Sequence, residues 1–120
     1  MLNVGIIGLG WWGRILTKTI ENSAKIDVLK LSDIDAQAGF SFANENQIPF
    51  TDKLTHVLSD DEIDAVILAT PHSYHEKQII AAARAGKHVF CEKPFCLNRA
   101  SALRAMQAIN KSGIQVAIGH

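Results

Sequence analysis

Cysteine is scarce in this 120-residue chain, with Cys91 and Cys96 its two examples. Two thiols cannot build a disulfide scaffold, and their spacing is not that of a C-x-x-C pair. Both read as small buried hydrophobes, and the setting they suggest is a reducing, cytoplasmic one. An excess of charge of either sign is also missing, because 12 Lys and Arg balance 12 Asp and Glu. That balance leaves no electrostatic footprint for nucleic acid or an anionic membrane surface. No apolar run approaches the roughly 18 residues that span a bilayer. The first expected strand starts at Leu2, which leaves no room for the charged and apolar regions of a secretory signal. No stretch is rich enough in proline, glycine or serine to form a linker, and there is no internal repeat. What is present is apolar residue, 48% of the chain, enough for the core of one domain.

The apolar residues fall in short runs that alternate with amphipathic stretches. Leu2–Ile7, Ile26–Leu31, Ala65–Ala69, His88–Cys91 and Gln115–Ile118 read as strands, with a weaker one at Pro49–Thr51. Ala65–Ala69 (AVILA) is apolar throughout, as expected for a parallel strand buried on both faces. Between these runs, Trp12–Asn22, Gln37–Asn46 and His75–Ala85 carry helical spacing, with Ile15, Leu16 and Ile20, then Phe40 and Ala43, then Ile79, Ile80 and Ala83 on one side. Gly86 and Lys87 supply stop signals for the third of these helices. A last helix starts at the cap Asn98, carries Ala102, Ala105, Met106 and Ile109 on one face, and stops at Gly113. Strict alternation of strand and helix implies one α/β domain over residues 1–120, a doubly wound parallel sheet with helices on both faces.

Three motifs carry chemistry. Gly8-Leu9-Gly10-Trp11-Trp12-Gly13 follows the first strand and opens the first helix. Gly8 allows the tight turn, Gly10 lets the backbone approach a pyrophosphate, and Gly13 lets helix and strand pack closely, with the helix N-terminus facing the phosphates. Asp33 comes twenty residues after Gly13, at the end of the second strand, where a carboxylate accepts hydrogen bonds from the adenosine ribose. A carboxylate there repels a 2′-phosphate, and Ile34 and Asp35 supply no arginine, so NAD is expected over NADP. Asp35 is a competing ribose contact, but helix capping is its more natural role.

The second motif is Thr70-Pro71-His72-Ser73-Tyr74-His75, just past the AVILA strand. Ligands of open parallel sheets bind beyond the carboxyl ends of the strands, so these residues should border the cofactor. His72 and His75 have a spacing seen in metal sites, yet no further ligands cluster there, and packing and capping at a helix start explain them better. The third motif is Glu92-Lys93-Pro94, after the fifth strand. Read alone it is either a charged turn, in which the Lys93–Pro94 bond could be cis, or the site of an ammonium that orients a substrate hydroxyl or carbonyl and helps move its proton.

Together these motifs resemble the N-terminal domain of the Gfo/Idh/MocA family, which includes glucose–fructose oxidoreductase, inositol dehydrogenases and rhizopine-type dehydrogenases. The similarity runs through GLGWWGR, Asp33, IDAVILATPHSYH and AGKHVFCEKPF. It implies strand order 3-2-1-4-5-6 and a bound nicotinamide cofactor. It implies that Trp12, Thr70, Pro71, His72 and His75 line the cofactor cleft, that Glu92 lies near the nicotinamide ribose, and that Lys93 meets the substrate and assists catalysis. Substrates of the family are mostly sugars, cyclitols and related polyols. Its members carry a second α/β domain that binds substrate, forms the oligomer interface and often supplies an Asp and a His. That domain is expected to be missing from residues 1–120, so the chain alone should be inactive, and the full-length enzyme should be a homo-oligomer. Two other readings stay open: a stand-alone NAD-binding sensor or subunit, and a domain for another adenine ligand such as S-adenosylmethionine, against which the E-K-P motif counts.

Overall fold

In the computed structural model, residues 1–92 and 98–119 are described. The strands are β1 (Leu2–Ile7), β2 (Ile26–Ser32), β3 (Phe50–Thr51), β4 (Ala65–Leu68), β5 (His88–Glu92) and β6 (Val116–Gly119). The helices are α1 (Trp11–Glu21), α2 (Ala36–Glu45), α3 (Leu54–Leu58), α4 (His75–Arg84), entered through a 3-10 turn at His72–Tyr74, and α5 (Arg99–Ser112). All strand pairs are parallel, and the order is β3-β2-β1-β4-β5-β6. The fold is the doubly wound Rossmann sheet that the resemblance implies.

The sequence explains why the sheet has this order and two cores. The chain steps outward from β1 to β2 and β3, then returns to lay β4 on the other side of β1. Right-handed crossovers in opposite directions place their helices on opposite faces. One core holds Val4, Ile6, Leu31, Phe42, Ala43 and Ile67, with Leu16 and Ile20 of α1 packed against it. The other holds Val66, Leu68, Ile79, Ala82, Ala83, Val89, Cys91 and Ala105. All four β4 residues are buried, as its unbroken apolar run requires.

Local chemistry sets the helix ends. Asp35 caps α2 by accepting from the Ala38 N–H at 3.2 Å, and Asn98 caps α5 by accepting from the Ser101 N–H at 2.9 Å. Gly86 and Gly113 take the left-handed φ of +74° and +76° that ends α4 and α5.

Several details depart from the sequence expectations. Strand β2 runs on to Ser32, so Asp33 is the first residue beyond it. Phe42, not Phe40, enters the core with Ala43; Phe40 lies outward and meets Phe50 edge-on. On α5 the buried side passes through Ser101 and Ala105, leaving Met106 exposed. Lys87 closes the end of α4 through its backbone, whose N–H donates to the Ala82 carbonyl at 2.9 Å, and not through its side chain. Its buried ammonium donates to the carbonyls of Asp60 (2.8 Å) and Ile63 (2.7 Å), two acceptors that its own helix does not offer. Helix α3 occupies a place that alternation demanded but no periodicity marked, because five residues are too few to show one.

Candidate functional site: the cleft where the strand order reverses

Where the chain order reverses between β1 and β4, the connections leave the sheet in opposite directions and open a crevice. A cleft of about 570 Å³ lies there, past the carboxyl ends of β1, β2 and β4. Gly8, Gly10, Trp11, Trp12, Asp33, Thr70 and Pro71 all line it. The structure thus gathers residues from the first two motifs and the aspartate into one place.

The three glycines of the first motif do different work. Gly8 has φ +99°, and a Cβ on it would stand 2.8 Å from the Ala69 carbonyl. A Cβ on Gly13 would stand 1.9 Å from the Gly8 carbonyl oxygen. These two glycines are required by the protein itself. A Cβ on Gly10 would meet nothing within 4 Å. Gly10 therefore faces open space, and its lack of a side chain serves whatever enters the cleft. Gly10 also caps α1, whose first turn contains no acidic side chain. The first N–H groups of a helix have no partner within it, so this end presents donors and a positive dipole end.

Leu9 and Gly13 lie behind the lining rather than in it. The Leu9 side chain is buried in the core shared with α1 and α2. Its carbonyl accepts from Arg14 Nε at 2.8 Å, and the Arg14 guanidinium lies over the Phe42 ring, 5.1 Å from its centroid. Arg14 follows the glycine motif directly, but only the tertiary packing reveals this bracing role.

Asp33 stands directly against the loop and lines the same cleft. Its Oδ2 accepts from the Leu9 N–H at 2.6 Å, and its Oδ1 accepts from the Asp35 N–H at 2.9 Å. Each carboxylate oxygen keeps acceptor capacity for a further donor. Neighbouring Ile34 is 82% exposed and also lines the cleft. Asp33 and Asp52 are the charged side chains among the described lining residues, and both are acidic.

At the other end, Thr70 donates its hydroxyl to Gln78 Oε1, and the Thr70 carbonyl accepts from His75 Nε2 at 3.1 Å. His75 is 1% exposed and packs at the start of α4, so it shapes the cleft from behind. Among the described residues, no group of three or more His, Cys, Asp and Glu is placed to hold a metal ion. Tyr74 of the second motif also lines the cleft, as do Gln78, Asp52 and Leu54, which carried no sequence signal, since the tertiary fold alone brings them there. The side chains of His72 and Glu92, together with Lys93, Pro94, Cys96 and His120, lie outside the described residues.

The residues present fit a dinucleotide. The open approach at Gly10 and the free helix N-terminus suit a pyrophosphate. Trp12 lines the cleft, and its Nε1 is buried with no hydrogen-bond partner among the described residues.

Sheet order, glycine loop and carboxylate together define a Rossmann dinucleotide-binding domain. A family model described as the NAD-binding Rossmann fold of the GFO_IDH_MocA oxidoreductase family matches residues 2–120, and the chain belongs to that family. It is 33% identical to 2,7-anhydro-N-acetylneuraminate hydratase of Escherichia coli, over 100% of this chain and 32% of that protein. It is 30% identical to scyllo-inositol 2-dehydrogenase (NADP(+)) IolU of Bacillus subtilis, over 95% of this chain and 35% of that one. Among solved structures, GenD2 from gentamicin A biosynthesis in complex with NAD superposes with a TM-score of 0.91 at 28% identity, over 98% of this chain and 34% of GenD2. The chain spans about a third of the length of these relatives. Among the described residues, no helix is long and apolar enough to cross a membrane.

Proposed function

We propose that this chain is the cofactor-binding domain of an NAD-dependent oxidoreductase acting on a sugar, cyclitol or related polyol. The observation that carries the reading is the open Gly10 at the start of α1, with Asp33 lining the same cleft beside it. The α1 N-terminus holds the pyrophosphate, Gly10 lets it approach the backbone, and Asp33 accepts hydrogen bonds from the adenosine ribose hydroxyls. Thr70, Pro71 and His72 border the nicotinamide end, with His75 fixing the Thr70 carbonyl behind them. NAD, when bound, accepts or donates a hydride at C4 of its nicotinamide ring. Glu92 serves the nicotinamide ribose, and Lys93, next in the chain after β5, orients the reacting substrate oxygen and exchanges its proton.

Among the described lining residues two are acidic and none is basic, which favours NAD over NADP, since a 2′-phosphate would meet the Asp33 carboxylate. The substrate class follows from the names of the relatives. One of them is a hydratase, so the net reaction depends on how substrate is held, which the cofactor domain does not dictate. We place substrate recognition and homo-oligomer contacts in polypeptide of the kind that fills the rest of the relatives' length, and the working setting in the cytoplasm.

Calorimetric titration of the folded chain with NADH and with NADPH tests the proposal. Saturable binding with NADH tighter by about tenfold or more is expected, a difference of about 1.4 kcal/mol. A folded chain that binds neither would overturn it.

A further inference from the structure

We propose that Asp33 is a positioning residue that latches the glycine loop before any dinucleotide arrives, so that one carboxylate sets both the ribose subsite and the pyrophosphate subsite. Leu9 sits between Gly8 and Gly10, at the part of the loop that leads into α1. Two bonds tie this loop to the end of β2. The Gly8 N–H donates to the Ser32 carbonyl at 2.8 Å, and the Leu9 N–H donates to Asp33 Oδ2 at 2.6 Å. The second is a charge-assisted bond, the stronger kind. It is a tertiary link, spanning 24 residues of sequence.

The Asp33 side chain is itself held in place. Its Oδ1 accepts from the Asp35 N–H, which closes the turn into α2. From behind, α2 approaches so closely that a Cβ on Gly39 would stand 3.1 Å from the Asp33 Cβ. The carboxylate is thus pinned by α2 and its own turn, and it in turn pins Leu9. On its far side the Leu9 carbonyl is braced by Arg14 Nε at 2.8 Å, and Gly10 beyond it faces open space. The direction of the free N–H groups of α1 then depends on where Leu9 is held. Each Asp33 oxygen has a lone pair left for the cleft that the residue lines. A ribose hydroxyl binding there meets a carboxylate already engaged with the phosphate loop. Substituting Asp33 to relax cofactor choice would therefore also loosen the phosphate site.

The latch is tested first without ligand, by amide hydrogen exchange of the Leu9 N–H in the wild-type chain and in Asp33→Ala. Loss of the acceptor is expected to speed exchange about tenfold or more. The second arm rests on the dinucleotide reading and uses ADP and 2′,3′-dideoxy-ADP. The latter keeps the pyrophosphate and adenine but lacks both ribose hydroxyls. Asp33→Ala should weaken even the dideoxy compound, by about fivefold or more, because the loop is displaced. Unchanged Leu9 exchange together with unchanged dideoxy-ADP affinity overturns the latch. If neither compound binds the wild-type chain, the dinucleotide reading falls, and Leu9 exchange alone decides the latch. Should Asp33→Ala fail to fold, Asp33→Asn replaces it. An amide has one acceptor oxygen for two N–H groups, so Leu9 or Asp35 must lose protection, and full protection of both overturns the proposal.

Discussion

Gly13 faces Gly8 across the first turn of α1 so closely that a Cβ on Gly13 would lie 1.9 Å from the Gly8 carbonyl oxygen. That oxygen belongs to backbone and cannot swing aside. Gly13→Ala must push α1 away from the end of β1, and it is expected to lower stability by about 3 kcal/mol or more. Gly10→Ala is the control, because its Cβ meets nothing within 4 Å. It should cost about 1 kcal/mol, the difference between glycine and alanine at a helix N-cap. Urea denaturation of both variants checks the contrast. Gly10→Ala should nevertheless weaken NADH binding, since its methyl group occupies the approach to the helix N-terminus. Equal stability losses in the two variants would refute the division of labour between these glycines.

Lys87 makes a second prediction about stability. The residue is 8% exposed, and its ammonium donates to two backbone carbonyls of the turn before β4. Lys87→Met keeps the length and the apolar stem but leaves the Asp60 and Ile63 carbonyls short of a donor. A loss of about 2–3 kcal/mol is expected, the range for hydrogen bonds to a charged group. Thermal or urea unfolding measures it, and a neutral result would mean that water replaces the ammonium without cost.

Glu76 on α4 and Arg104 on α5 predict a pH dependence. Arg104 Nε donates to Glu76 Oε2 at 2.7 Å, and its second nitrogen donates to Oε1 at 3.0 Å. This pairing, with a further hydrogen bond from Ser101, holds the Glu76 carboxyl down at about 2, from an ordinary 4.5. A carboxyl with a lowered folded-state pKa contributes its stability above the unfolded value and loses it as pH falls toward the folded one. The advantage of wild type over Glu76→Gln should therefore be full above about pH 4.5 and fade toward pH 2. Urea midpoints at neutral pH and at about pH 3 check this, and a difference independent of pH would exclude Glu76 ionisation as its source.

The order and type of the elements are legible in the sequence because each strand covered on both faces is apolar throughout, as in Ala65–Leu68. The glycine motif and Asp33 are legible for a similar reason: a strand–turn–helix unit fixes their spacing. Contacts that depend on which strands lie side by side are not legible. The bond from Leu9 to Asp33 exists because β1 and β2 are neighbours, and Gln78 reaches Thr70 because α4 folds back over the end of β4. The direction of a side chain within a helix is equally hidden, so Phe40 and Phe42 could not be told apart by spacing alone.

Cofactor choice can be tested without disturbing the Asp33 latch. Ile34 is largely exposed, lines the cleft, and directly follows Asp33. It packs against little, so Ile34→Arg should leave stability within about 0.5 kcal/mol of wild type. The new guanidinium would stand where a 2′-phosphate enters, and one charge-assisted contact there should raise NADPH affinity about tenfold. NADH carries no phosphate at that position, so its affinity should move by less than about threefold. Parallel titrations of wild type and variant with both cofactors give the answer. An equal change for NADH and NADPH would place the adenosine ribose somewhere other than Asp33 and would move the selector of NAD over NADP to another part of the cleft.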